Sequence, residues 1–312
     1  MELQRIIGRY SGEEHGPLLI VFGGMHGNEP AGVKALKLMF KMLEVEPITN
    51  PRFKYKGRIL GLRGNLRALR DQQRFIVKDL NRQFTSQNIA HIATANAVDL
   101  DSEDREVKEL ISIVNDEIKY YRPQKLVFLD IHTTTAFGGI FAIATDNPES
   151  IRIAVELHAP VITGMMEGLQ GTSLHHFNEA NYGYQAVPVV FEAGQHDEKL
   201  SVNRAIAAIT NCMRTIGSVL AEDVENRHDE LLIEYSKNLP KVARLVHVHR
   251  IHRGDDFVMN PGYKNFQFIK KGEALAMDKS GAIHAVANGR ILMPLYQKKG
   301  DDGFFIIQEV DY

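Results

Sequence analysis

The run Leu18-Leu-Ile-Val-Phe22 is apolar at every position and is bounded by Pro17 on one side and Gly23-Gly24 on the other. Successive side chains of a strand point to opposite faces. A strand over this run therefore presents apolar surface both ways, and it is stable only where something covers each face. Lys125–Ile131 and Val187–Phe191 have the same character. Segments of helical spacing separate these runs. One starts near Pro30, a position that suits the ring's fixed φ and missing donor, and carries Val33, Leu36, Phe40 and Leu43. Another spans Asp101–Tyr120, with Val107, Leu110, Ile111, Val114 and Ile118 in one stripe and Asp101, Ser102 and Glu103 at its start. A third runs over Glu198–Glu222. Strands alternating with amphipathic helices predict an α/β fold with a mixed or mostly parallel sheet flanked by helices.

The pattern changes after the charged stretch 223–241, where Asn238-Leu-Pro240 reads as a linker. Short alternating segments follow at Ala243–Ile251, Phe266–Ile269, Ile283–Val286 and Phe304–Val310, punctuated by glycine-bearing turns. This predicts a small all-β C-terminal domain. We expect one unit over residues 1–235 and a second over 236–312 that caps or flanks the cleft of the first. A chain of 312 residues is long enough for both.

Each of the three apolar runs stops at a residue able to do chemistry. The first is followed by His26 and Glu29, the second by His132, and the third by Glu192. In open α/β sheets, ligands bind outside the carboxyl ends of the strands. Three neighbouring strands would bring all four side chains to one edge. Imidazole nitrogen and carboxylate oxygen are both zinc ligands, and a catalytic zinc keeps three protein ligands and one open position. His26, Glu29 and His132 supply such a set, expected to hold one Zn2+ per chain, although two histidines and a carboxylate also suit iron(II). Glu192, a carboxylate at the end of a buried strand, is the expected general base and acid. The segment 65–85 has poor periodicity and is rich in Asn and Arg, a composition suited to holding an anionic group. Within it, Arg74 is the candidate partner for a developing oxyanion.

Four motifs in order carry a resemblance: Gly24-Met-His26-Gly-Asn-Glu29-Pro-Ala-Gly32, Asp79-Leu-Asn81-Arg82-Gln-Phe84, Asp130-Ile-His132-Thr and Phe191-Glu192-Ala-Gly194. Together they resemble the succinylglutamate desuccinylase/aspartoacylase family of the zinc carboxypeptidase-like superfamily. The tail, with Leu292-Met-Pro-Leu-Tyr296, is similar to the family's C-terminal part. The resemblance implies a carboxypeptidase-like fold, zinc, and hydrolysis of the linear amide of an N-acylated amino acid or related small molecule. It implies His26, Glu29 and His132 as metal ligands, Glu192 as base and acid, and Arg74 as the carbonyl-polarising arginine. Asn81 and Arg82 would hold a substrate carboxylate, Asp79 would orient an arginine or a ligand, and Tyr296 is the nearest match to a tyrosine that reaches the substrate. One departure is visible. An arginine that grips amino-acid carboxylates in aspartoacylases, about ten residues before the catalytic glutamate, is here Tyr182.

Two other readings use the same residues: a metallocarboxypeptidase acting on peptides, and a non-catalytic protein with a structural metal. The net charge of -2 offers no basic field for nucleic acid. The single cysteine, Cys212, excludes an internal disulfide and a cysteine-based zinc site. The N-terminus lacks a signal-peptide pattern, and no apolar run approaches the ~20 residues that span a bilayer. A cytoplasmic protein without nucleic-acid or membrane partners is expected, with homo-oligomerisation left open.

Overall fold

The computed structural model describes residues 3–183, 186–223 and 229–311, so part of the charged stretch after Asp223 lies outside the described residues. The three expected strands form, as β2 (Glu14–Gly23), β4 (Leu126–Thr134) and β7 (Ala186–Gln195), and are joined by β1 (Ile6–Ser11), β3 (Lys56–Arg63), β5 (Phe141–Ala144) and β6 (Val161–Thr163). C-terminal to them are β8 (Val242–Arg250), β9 (Val258–Met259), β10 (Phe268–Ile269), β11 (Ala274–Asp278), β12 (Gly281–His284), β13 (Gly289–Leu292) and β14 (Asp302–Glu309). The main sheet has the order β1-β3-β2-β4-β7-β5-β6-β8-β14-β13-β10, and β12-β11-β9 makes a separate three-stranded sheet.

Strands β3, β2, β4 and β7 are mutually parallel. They are covered on both faces, as the unbroken apolar runs require. Odd-numbered residues Leu19, Val21, Leu129, Ile131, Val189 and Phe191 share one core with helices Ala31–Thr49 and Ser201–Thr215. Even-numbered Leu18, Ile20, Phe22, Leu126 and Phe128 share another core with the helix Ser102–Tyr121. That period of two is the pleat read directly from sequence. Cys212 is fully buried in the first core.

The C-terminal region is antiparallel, as expected, and it is joined to the rest of the fold by hydrogen bonds. β8 pairs in parallel with β6, and β14, β13 and β10 extend the same sheet in antiparallel steps. A third core, with Phe141, Ile143, Val190 and Phe305, spans this junction. The predicted helix over Glu198–Glu222 is shorter, Ser201–Thr215, and ends just before Gly217, which adopts φ +78°.

The strand order satisfies the condition set by the sequence. β2, β4 and β7 are consecutive neighbours with carboxyl ends on one edge, Gly23 aligns with Ile131, and His132 aligns with Glu192. Among the described residues no helix is long and apolar enough to cross a membrane.

Candidate active site

Beyond β2 the chain makes a compact turn before the helix at Ala31 begins. Gly24 takes φ +74°, a conformation that glycine adopts without the Cβ penalty. Gly27 answers a different demand. A Cβ there would lie 2.0 Å from the carbonyl carbon of Ala68 and 2.4 Å from the carbonyl oxygen of Gln73, so only glycine lets this turn press against the following loop. The Gly27 amide donates to Arg74 O at 3.2 Å, tying the two segments together.

His26, Glu29 and His132 converge, with one ligand atom from each lying within 4.8 Å of the others. His26 turns Nδ1 to Glu29 Oε1 at 2.8 Å, and His132 turns Nδ1 to Glu29 Oε2 at 3.0 Å. The second nitrogen of each ring faces another carboxylate: His26 Nε2 lies 3.1 Å from Asp79 Oδ1, and His132 Nε2 lies 3.1 Å from Asp130 Oδ2. Metal-bound histidines are commonly oriented in this way by an outer carboxylate. Burial works to raise the Glu29 carboxyl, but the charges and hydrogen bonds of His26 and His132 prevail and hold it well below the ordinary carboxylate range. Burial works to lower His132, and Asp130 and Glu29 overcome it, so its imidazole sits well above its ordinary value. Four buried carboxylates, Glu29, Asp79, Asp130 and Glu192, thus surround two imidazoles and one guanidinium. A site of this charge and donor type fits a divalent cation with three protein ligands.

The Arg- and Asn-rich segment is more ordered than its periodicity predicts. It contains a short helix, Leu66–Asp71, because the Asn65 side chain accepts from the Ala68 amide and caps it. Beyond Arg74 the loop is held by Glu103. Its buried carboxylate accepts from the amides of Ile76, Val77 and Lys78 at 2.8, 3.1 and 3.3 Å and from Asn65 Nδ2 at 3.0 Å. Arg74 is thereby presented to the site, with Nε and Nη2 on Asp79 Oδ2 at 3.2 and 2.9 Å and Nη1 3.6 Å from Glu29 Oε1. Asn81 accepts from the Ser173 amide at 2.8 Å and brings Nδ2 to 3.4 Å from His132 Nε2. Arg82 pairs with Asp302 of β14 at 2.5 Å, a partner not anticipated from the sequence.

His26, Glu29, Arg74, Asn81, Arg82 and His132 line a cleft together with Glu192, His196 and residues between Met293 and Asp302. Glu192 is buried, and its Oε2 has no hydrogen-bond partner among the described residues. Burial is the main cause that lifts its carboxyl to about 8; nearby Glu29 and Asp130 add to the effect and His132 opposes it. His196 was not anticipated from sequence. Its Nδ1 meets Thr133 Oγ1 at 2.7 Å, and its Nε2 is buried without a partner in the cleft wall. Its position four residues beyond Glu192, just past the end of β7, is the one signal that points to it.

Tyr296 lies elsewhere. It is 41% exposed and its hydroxyl donates to the carbonyls of Asn260 and Tyr263, while its neighbours Leu295 and Gln297 reach the cleft. Tyr182 is also away from the cleft wall. It packs against Phe128 and Phe177 in the even-numbered core, with its hydroxyl 3.3 Å from His176 Nε2. Its side chain is therefore not part of the cleft lining.

A sequence profile described as the succinylglutamate desuccinylase/aspartoacylase catalytic domain matches residues 15–216. The chain belongs to this family. The desuccinylase/aspartoacylase match covers β2 through the helix after β7, and so contains all four motifs. A probable aspartoacylase from Nostoc sp. is 32% identical over 123 residues, a stretch spanning 39% of this chain and 37% of that relative. The fold extends further than this sequence likeness. A succinylglutamate desuccinylase from Vibrio parahaemolyticus superposes with a TM-score of 0.66 at 20% identity, covering 96% of this chain and 83% of that one. Murine aminoacylase 3 gives 0.60 at 18% identity, covering 96% and 97%.

Proposed function

We propose that this family member is a zinc-dependent hydrolase that cleaves the amide bond of a small N-acyl amino acid. The observation that carries the reading is Glu192: a buried carboxylate with an unpartnered oxygen, on the wall of the cleft that holds His26, Glu29 and His132 and aligned with His132 across two strands. His26 Nδ1, a Glu29 oxygen and His132 Nδ1 would hold the ion, with Asp79 and Asp130 fixing the two rings. A bound zinc would supply Lewis acidity and lower the pKa of its water to about 7.

The protein's own groups account for the rest. Glu192 Oε2 takes a proton from the attacking water and passes it to the departing amine nitrogen, a role for which a carboxyl lifted towards neutrality is suited. Arg74 has two of its donors fixed on Asp79, which leaves Nη1 as the edge that polarises the amide carbonyl oxygen. Arg82 lines the cleft with one N–H of each Nη uncommitted among the described residues, and these donors are available to one carboxylate of the substrate. Asn81 steadies His132 and the Ser173 turn. Met293, Leu295, Gln297 and Gly300–Asp302 form part of the wall, which supports the view that residues after 236 restrict the cleft to small substrates and argues against long peptides.

The test is release of primary amine from a panel of N-acetyl, N-succinyl and N-formyl amino acids by zinc-loaded protein. We expect activity that chelation abolishes. Glu192→Gln should retain one zinc per chain and lose turnover by at least 10²-fold, the scale of general acid–base catalysis. Full activity in Glu192→Gln would overturn the mechanism.

A further inference from the structure

The cleft lining has two chemical characters. Beside the triad it includes Met165, Met166, Leu169, Leu174, Val190 and Phe305. These belong to or pack on the core cluster that joins β5, β6 and β7 to β14, so the apolar part of the lining is built into the sheet junction. Pockets bind by matching such surface, with a few polar groups fixing orientation.

The cations are already committed. Among the described residues, the arginine and lysine side chains lining the cleft are Arg74 and Arg82. Arg74 is held by Asp79 and lies near Glu29. Arg82 pairs with Asp302 and donates to Asn81 O at 2.7 Å, which leaves the second N–H of each Nη for a ligand. Asp301 also lines the cleft and adds a further acid. One substrate carboxylate can be met by those N–H groups of Arg82. A second would find only Arg74, already held by Asp79, and would have to be desolvated among methionine and leucine side chains.

We propose that the cleft selects N-acyl amino acids with one carboxylate and an apolar substituent, over N-acylated dicarboxylic amino acids. This rests on the reading of the site as an amide hydrolase, but the preference it describes is one of binding. The apolar substituent can reside on the amino-acid side chain or on the acyl group, and the same cleft chemistry serves both.

The experiment uses zinc-loaded Glu192→Gln protein, in which uncleaved amides can be titrated by calorimetry. N-acetyl-L-methionine and N-acetyl-L-phenylalanine carry the apolar group on the amine side; N-hexanoylglycine carries it on the acyl side. N-acetyl-L-aspartate and N-succinyl-L-glutamate are the dicarboxylic comparators. At least one apolar arm should bind tenfold or more tightly than both comparators, and the stronger arm identifies the side. Met166→Arg in the same background, a partly buried position where a guanidinium can reach water, should reduce that preference at least tenfold. Equal or tighter binding of the dicarboxylic compounds overturns the proposal, as does absence of binding by every compound. Apolar preference in binding without hydrolysis of any compound by the wild-type protein would leave this proposal standing and overturn the hydrolase reading instead.

Discussion

Replacing Glu192 with glutamine in metal-stripped protein isolates the cost of placing that carboxylate in the fold. The native carboxyl is lifted by burial from an ordinary 4.5 to about 8. Between those pH values the folded chain keeps the proton and the unfolded chain has lost it. Stability then falls as pH rises, by about 1.36 kcal/mol per pH unit. The carboxyl's contribution is fully present below 4.5, is lost progressively as pH rises, and is gone above about 8. Over the whole window the loss is on the order of 5 kcal/mol. Glutamine has nearly the same shape and no proton to lose. The variant and the wild type should therefore have similar stability near pH 4.5, and the variant should gain on the wild type by ~1.4 kcal/mol per pH unit until the difference levels off near pH 8. Urea denaturation of both chains at several pH values, with chelator present, measures the difference directly, and taking that difference reduces the contribution of the other titrating groups. Zinc should shrink the pH-dependent gap, because a nearby dication favours the ionised carboxylate. A stability difference that does not change with pH in the metal-stripped proteins would refute the argument that burial controls this carboxyl.

The remaining predictions concern how the site is held. Zinc added at 100-fold over its Kd should stabilise the apoprotein by about 2.7 kcal/mol, and His132→Ala should abolish both the thermal shift and the bound metal measured by native mass spectrometry. Glu103→Ala should cost at least about 3 kcal/mol, since three backbone amides lose their acceptor, and kcat/KM should fall with it because Arg74 is no longer presented; denaturation and steady-state kinetics check the two effects. Gly27→Ala forces a Cβ into backbone atoms 2.0 Å away and should cost more than ~4 kcal/mol. Gly183→Ala is its control in the same denaturation assay: Gly183 has φ +63° and, among the described residues, nothing within 4 Å of the added carbon, so only the left-handed backbone penalty of ~1–2 kcal/mol is expected.

What the sequence reveals depends on how local the physical cause is. The strands of the central sheet are legible because two-sided burial requires unbroken apolar runs, and the parallel register then carries His132 to Glu192 without any further instruction. The metal-capable triad follows, since its members sit at the ends of neighbouring strands. Residues that act through distant partners are not legible in this way. Glu103 reads as a helix-start acid favourable to the dipole, yet it is fully buried and latches the arginine loop through backbone amides, which leave no mark in a sequence. Arg82 reads as a cation for a substrate carboxylate, and nothing near it in the chain tells that β14 returns, 220 residues later, to set Asp302 against it. Tyr296 and Tyr182 illustrate the same limit from the other side. Each occupies a position that the resemblance matches to a substrate-contacting residue of the family, a tyrosine for Tyr296 and an arginine for Tyr182, and each has its hydroxyl taken by a group outside the cleft. Spacing along the chain transmits ligand chemistry well where a strand fixes the geometry. It transmits substrate choice poorly, because selectivity is set by which charges are left unpaired once the C-terminal strands have closed the wall.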